Sequence, residues 1–228
     1  MADAGQLVFD IAPPPSYAGE DYVVGPCNAQ AHQLATSLAW PTPVGLILAP
    51  CGAGKTHLAT LFAQRFSAVH WFAGAVPQLT HSGGAIIIDG LETWVGAQRS
   101  EQDEDALFHT LEVARANAWV VLVTCQGAPE TLGIRRPDTV SRLRAGERAS
   151  VEAPDDALFT AIAIKLFTDR HLMVDPSIAE YLLQRMERSY ANLAKLVRVI
   201  DERSLAAGRR ITKSLARDVL DAYELSQN

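Results

Sequence analysis

Continuous apolar runs, rather than alternating ones, punctuate the first two thirds of this chain. Leu46-Ile47-Leu48-Ala49, Gly84-Ala85-Ile86-Ile87-Ile88 and Trp119-Val120-Val121-Leu122-Val123-Thr124 show no polar face. A strand of that kind is buried on both sides, as in a parallel sheet sandwiched by helices. Ala68-Val69-His70-Trp71-Phe72 predicts a further strand. Between the runs the apolar spacing becomes helical: from the N-cap Asn28 through about Leu38, over His57-Leu58-Ala59-Thr60-Leu61-Phe62, and over Ala106-Leu107-Phe108 with Leu111 and Ala114. Strand and helix in alternation predict an α/β unit.

The pattern changes at Val151-Glu152-Ala153-Pro154-Asp155-Asp156. A proline followed by two acids is a helix start. Beyond it the periodicity is helical throughout, over about Asp156–Arg170, Pro176–Arg188, Ala191–Ala207 and Lys213–Leu225, with Gly208 as a stop and Thr212 as an N-cap. Four helices after an α/β unit predict a small lid. The expected division is a flexible tail over 1–16, an α/β domain over 17–153 and a helical lid over 154–228.

The first apolar run enters Ala49-Pro50-Cys51-Gly52-Ala53-Gly54-Lys55-Thr56, and a helix leaves it. This is the strand–loop–helix setting of a P-loop. Glycines at 52 and 54 permit backbone angles closed to residues with a Cβ, so the loop can wrap its N–H groups around a phosphate. The helix behind contributes unpaired N–H groups and a partial positive charge. Lys55 would reach the β- and γ-phosphates, and the Thr56 hydroxyl would hold Mg²⁺. Pro50, Cys51, Ala53 and His57 complete the expected nucleotide-binding stretch.

The second run ends in Asp89, as a Walker B strand does. Asp89 would bind Mg²⁺ beside Thr56, directly or through water; a helix cap is the plainer use of such a residue. The third run ends in Thr124-Cys125-Gln126. Either Gln126 or Thr124 stands where a γ-phosphate sensor would, and a strand-terminal turn explains them equally well. Tyr22-Val23-Val24 could pack an adenine ring or simply fill the core. Arg142, in Ser141-Arg142-Leu143-Arg144-Ala145-Gly146, is either a solvated charge or an arginine finger for nucleotide on a neighbouring molecule. In the tail, Gln6, Leu7 and Phe9 precede Pro13-Pro14-Pro15. They would either bind a partner surface or add a strand to the domain's own sheet.

Composition narrows the function classes. The 228 residues are 48% hydrophobic with a net charge of −6, so no global field draws the chain to nucleic acid or anionic lipid. No apolar run is long enough to span a membrane and no charged-then-apolar leader is present, which predicts a cytoplasmic protein. Cys27, Cys51 and Cys125 fit no zinc spacing.

Together, Tyr22-Val23-Val24-Gly25-Pro26-Cys27-Asn28, the P-loop, Ser141-Arg142-Leu143 before Gly146, and Gly208-Arg209-Arg210-Ile211-Thr212 resemble the AAA+ ATPases. Within them they resemble DnaA-type replication initiators and their shorter Hda-type relatives. The resemblance covers roughly Tyr17 to Leu225. No helix-turn-helix reader follows the lid, so no direct sequence-specific DNA binding is expected. The Gln6, Leu7 and Phe9 peptide resembles those that dock on the DNA-polymerase sliding clamp.

The resemblance implies a mechanism. Hda-type proteins bind nucleotide, typically ADP, dock on the DNA-loaded clamp and stimulate ATP hydrolysis by DnaA. Arg142 matches the arginine finger of that family. Tyr22, Val23 and Val24 would hold the base, and ADP or ATP with Mg²⁺ is the implied cofactor. Association with the replisome at the nucleoid follows, and head-to-tail contacts leave homo-oligomers open.

Three positions depart from a hydrolysing site. Ala49 replaces the first loop glycine, Gly90 stands where a second acid usually follows the Walker B aspartate, and Ala191 aligns with the lid arginine. Asn192 could still offer a hydrogen bond, and Arg188 is close enough for a local shift to restore an arginine. Nucleotide binding with weak or no intrinsic hydrolysis is therefore expected. An autonomous DnaA-like ATPase or helicase-loader-type remodeller is the alternative.

Overall fold

The computed structural model describes residues 22–96, 99–186 and 189–225. The tail residues Gln6, Leu7 and Phe9, and Arg188, lie outside the described residues.

Five parallel strands form one sheet, β1 (Val44–Leu48), β2 (Val69–His70), β3 (Gly84–Ile88), β4 (Trp119–Cys125) and β5 (Glu147–Ser150), in the order β2-β3-β4-β1-β5. Among the described residues, eight α-helices accompany them: α1 (Ala29–Thr36), α2 (Lys55–Phe66), α3 (Glu101–Ala116), α4 (Pro137–Arg144), α5 (Asp156–Asp169), α6 (Pro176–Leu183), α7 (Tyr190–Ala207) and α8 (Lys213–Leu225).

The apolar runs explain the layers. Ile47, Ile87 and Leu122 point to one face and pack with Leu58 and Phe62 of α2 and Leu34 of α1. Their neighbours Leu46, Ile86, Ile88, Val121 and Val123 point to the other and pack with Leu107 and Leu111 of α3 and Leu143 of α4. Each central strand is thus covered on both sides, which is why none alternates. The helical C-terminal part has its own core, built on Phe159 and Phe167 of α5, Leu182 of α6, Leu196 and Ile200 of α7, and Val219 and Leu220 of α8.

Four elements differ from the sequence expectation. The strand expected over 68–72 is two residues long, because Trp71 turns inward while Phe72 is 62% exposed. The Trp71 N–H still donates to Ile87 O at 2.9 Å, and its indole donates to Thr110 Oγ1 at 2.9 Å. Strand β5 was not foreseen. It is a polar edge strand with only Ala149 buried, so it carries no apolar signal. Helix α3 starts well before its first apolar residue, with Ser100 as N-cap accepting from Asp103 N at 3.2 Å and acids filling the first turn. Helix α6 ends at Leu183, short of the expected Arg188.

Register sets up the site. Ile88 of β3 and Leu46 of β1 both pair with Val123 of β4. The chain therefore leaves β1 and β3 on either side of Thr124, at the carboxyl edge of the sheet, where ligands bind in open parallel sheets.

Candidate functional site

A cavity of 960 Å³ opens at that edge, between the sheet and the helical C-terminal part. This is at the upper end of the range usual for small-molecule pockets.

The loop after β1 forms its floor. Gly52 (φ 73°) and Gly54 (φ 86°) are both left-handed, and Gly54 is the N-cap of α2. Lys55 lies back along the loop: its ammonium donates to Ala49 O at 2.9 Å and Pro50 O at 3.0 Å. Pro50, Cys51, Ala53, Thr56 and His57 all line the cavity, as expected. Ala49 does not have positive φ and is 2% exposed in the core. Its Cβ therefore imposes no strain, and the departure from glycine leaves the loop's conformation intact.

Asp89 also lines the cavity. Its Oδ1 accepts from Thr124 Oγ1 at 2.5 Å, and that hydroxyl accepts from Gly90 N at 2.9 Å. Thr124 thus orients the carboxylate from the neighbouring strand. Of the two sensor candidates, Thr124 touches the Walker B acid, and neither it nor Gln126 is a lining residue. The Gln126 backbone N–H donates to Glu92 Oε2 at 3.0 Å.

Glu92 is the residue the sequence reading missed. Gly90 (φ 65°) turns the chain sharply into a 3₁₀ turn over Leu91–Thr93, which brings Glu92 back into the cavity. Its Oε1 lies 3.9 Å from Lys55 Nζ. The signal for it in the sequence is the glycine after Asp89, which marks a turn that can return a later side chain to the cavity.

At the other end, Tyr22 and Val23 line the cavity, whereas Val24 is 47% exposed and does not. Asn28, expected as an N-cap, makes no side-chain cap bond to α1. Instead its Oδ1 accepts from Gly25 N at 2.8 Å and its Nδ2 donates to Val23 O at 3.0 Å. It staples the strip that forms this wall. The Tyr22 ring stacks on His32 (5.7 Å between centroids) and meets His57 edge-on (5.1 Å). Burial pushes the Tyr22 hydroxyl's pKa up, with a smaller push from Cys27, so it stays a neutral hydrogen-bonding group.

Leu158, Phe159 and Ile162 of α5 face this wall. From α7 come Ala191, Ala194, Lys195 and Arg198, one helical face. The N-terminus of α7 rests on the loop: a Cβ on Gly52 would lie 2.7 Å from Ser189 Oγ and 2.9 Å from the Ala191 Cβ. Asn192 turns away from the cavity, and its Oδ1 accepts from the Tyr223 hydroxyl at 3.1 Å.

Arg142 is not among the lining residues. It sits on α4, on the α3 face of the sheet, with Nη1 2.6 Å from Glu112 Oε1 and its guanidinium 5.2 Å over the Phe108 ring. The segment before α4 is pinned to α3 by Arg135, whose N–H and Nη1 donate to the buried carboxylate of Glu104 at 2.8 and 3.1 Å.

Comparison with known proteins places this geometry. Residues 164–220 match the family model described as "Hda, lid domain". An uncharacterized protein of Haemophilus influenzae is 23% identical over 183 residues, 75% of this chain and 78% of the relative. The chromosomal replication initiator protein DnaA of Nitrosospira multiformis is 22% identical over 94% of this chain; the chain spans about half of that relative's length (50%). Among solved structures, domain III of Thermotoga maritima DnaA superposes with a TM-score of 0.74 at 18% identity, covering 92% of this chain and 97% of that one. AMPPCP-bound DnaA from Aquifex aeolicus superposes at 0.64 with 17% identity, covering 82% and 66%. The Thermotoga maritima RuvB Holliday junction motor shares the fold at 0.60, with 16% identity over 78% of this chain and 61% of that one. With a parallel five-stranded sheet, a P-loop at its carboxyl edge and a helical part whose residues 164–220 match the Hda lid, the chain has the fold of DnaA domain III and resembles the DnaA-related AAA+ proteins.

Proposed function

We propose that this chain binds an adenine nucleotide and regulates replication initiation, docking on the DNA-polymerase sliding clamp and stimulating hydrolysis of DnaA-bound ATP. The observation that carries this reading is the separation of Arg142 from the chain's own cavity. A guanidinium on that face is useless to the nucleotide beneath Ala191. Held by Glu112 over the Phe108 ring, it would exchange that ion pair for a nucleotide held by a neighbour, where such a group is worth roughly 10³–10⁵ in rate.

The cavity supports nucleotide binding at both ends. Tyr22, Val23, Leu158 and Phe159 offer an apolar slot for a base, and the loop from Gly52 to Thr56 offers N–H groups and an ammonium for phosphates. Thr56 and the Thr124-oriented Asp89 are a fitting hydroxyl and carboxylate for Mg²⁺, which takes few protein ligands when phosphates complete its shell. When bound, the ion neutralises phosphate charge. Gly90 and Ala191 leave this chain without a second acid directly after Asp89 and without the lid arginine, so its own turnover is weak and it acts as an activator in trans. The clamp contact rests on Gln6, Leu7 and Phe9 in the sequence.

The experiment is single-turnover hydrolysis of ATP bound to DnaA, with clamp-loaded DNA and this protein added. Wild type accelerates the reaction; Arg142→Ala binds nucleotide normally and does not. Gln6→Ala with Leu7→Ala loses clamp binding and, with it, the acceleration. Acceleration by Arg142→Ala at the wild-type rate would refute the finger assignment. Steady ATP turnover by the chain alone, abolished by Lys55→Ala, would favour an autonomous remodeller instead.

A further inference from the structure

One stretch of the helical C-terminal part carries a charge opposite to that of the whole chain. Residues 203–217 hold four arginines and a lysine (Arg203, Arg209, Arg210, Lys213 and Arg217) and no acid, in a chain of net charge −6. All five residues are exposed. The fold fixes where they stand. Gly208 (φ 57°) ends α7 in the left-handed conformation, the Arg209 N–H donates back to Ser204 O at 3.1 Å, and Ser204 Oγ donates to Arg209 O at 2.6 Å. Ile211 packs on the helical core, and Thr212 Oγ1 accepts from Leu215 N–H at 3.3 Å as α8 begins. A connection tied at both ends thus sets Arg209 and Arg210 just before the first turn of α8, whose unpaired N–H groups add positive potential. The Tyr181 ring of α6 extends the patch, with Lys213 Nζ 5.2 Å and the Arg185 guanidinium 4.2 Å from its centroid. Arginines of the α/β part face acids: Arg135 faces Glu104, Arg136 Asp105, Arg142 Glu112 and Arg148 Glu130. Among the described residues Arg203, Arg209 and Arg210 face none, and the acids nearest in sequence, Glu202 and Asp218, are held by Arg198 and Arg217.

We propose that this patch holds the phosphate backbone of duplex DNA, without regard to base sequence. Guanidinium forks match phosphate oxygens, and contacts of that kind position a protein on a duplex. A protein-binding face needs apolar anchors at its centre, whereas Leu205 is the one large apolar side chain exposed within 203–217. The cations flank a short connection, 208–212, rather than line a helix face that could lie in a groove, so they carry no base readout. The net charge of −6 keeps free encounters weak. The contact therefore counts where the chain is already held beside DNA, as docking on a DNA-loaded clamp would hold it. The patch itself needs neither the clamp nor a nucleotide.

The test titrates the full chain, without nucleotide or clamp, into fluorescein-labelled duplex DNA and follows anisotropy over a series of salt concentrations. Wild type should bind at about 50 mM salt and weaken toward a Kd on the order of 10⁻⁴ M near physiological salt, with log K falling against log salt by about 0.9 per phosphate engaged. Arg209→Gln with Arg210→Gln should weaken binding at about 50 mM salt at least about tenfold and make that slope shallower by about 1.8. Duplexes of unrelated sequence should bind within about twofold of each other. An unchanged melting temperature certifies the variant's fold, and Arg115→Gln, exposed on α3, should keep the wild-type slope. No binding by wild type at about 50 mM salt, or a double variant with wild-type affinity and slope, would overturn the proposal. So would competition by poly-glutamate as effective as that by unlabelled duplex of equal charge, since any acidic surface would then serve. Because the assay holds neither nucleotide nor clamp, its failure would leave the nucleotide-binding reading untouched.

Discussion

The Cβ of Ala191 sits 2.9 Å from where a Cβ on Gly52 would be, so the first turn of α7 lies directly on the phosphate loop. The helical part and the loop are thus in contact through two small residues. Ala191 is exposed and lines the cavity, so in place of the arginine the resemblance implies there stands a methyl group that offers phosphates no charge.

Gly52→Ala should therefore act twice. A left-handed φ with a Cβ costs about 1–2 kcal/mol, and the methyl group would push Ser189 and Ala191 off the loop. Nucleotide affinity should fall at least about tenfold, equivalent to 1.4 kcal/mol, with a lower melting temperature in the unliganded protein. Ala49→Gly, at a position of ordinary φ, should leave affinity unchanged. Calorimetric titration and thermal melts of both variants check this.

Asn28 links Gly25 N–H to Val23 O from a position 6% exposed to solvent. Asn28→Ala leaves both backbone groups without that partner, so unfolding free energy should fall by about 2 kcal/mol. Because the stapled strip is the wall carrying Tyr22, affinity for adenosine itself should fall along with that for ADP. Chemical denaturation and adenosine titration read the two effects separately.

The three thiols should differ in reactivity. Cys51 is exposed in the phosphate loop, Cys27 is partly buried, and Cys125 is buried at the end of β4. Burial pushes the Cys125 thiol up to about 12, with Glu92 adding to the push, so it remains a protonated, unreactive group at neutral pH. Iodoacetamide followed by peptide mass spectrometry should find Cys51 labelled first, protected by ADP, and Cys125 untouched until the protein unfolds.

A mild acid sensitivity is also expected. Partial burial, with the Arg65 charge adding to it, lowers the His32 pKa below the ordinary 6.5, which favours the neutral ring stacked on Tyr22. Below pH 6.5 the unfolded chain binds a proton that the folded chain resists. The contribution to stability is thus complete above that value and is lost as pH falls toward the folded value. His32→Gln, which cannot protonate, should show a smaller drop in melting temperature between neutral pH and the acid side of that window.

Much of the fold was legible because burial on both faces writes itself into sequence as unbroken apolar runs; β1, β3 and β4 each follow from one. Edge elements leave no such trace. β5 is polar because solvent covers it, and β2 is short because Trp71 leaves the sheet to reach Thr110. In the site, the loop residues are legible because phosphate chemistry fixes both type and spacing. Glu92 was not, because its place depends on a turn at Gly90 rather than on distance along the chain. Asn28 stands at the N-cap of α1 as expected, yet its side chain turns back to Val23 and Gly25 instead of forward to the helix.

Everything rests on an adenine nucleotide held between the phosphate loop and the helical C-terminal part. Denaturing the purified full chain and identifying what is released by anion-exchange chromatography tests this directly, with re-binding of ADP to the stripped protein as its counterpart. The account predicts adenine nucleotide in near-equimolar amount, mainly ADP, and saturable re-binding that Lys55→Ala abolishes. A chain that releases none, and whose melting temperature neither ADP nor ATP alters, would contradict it.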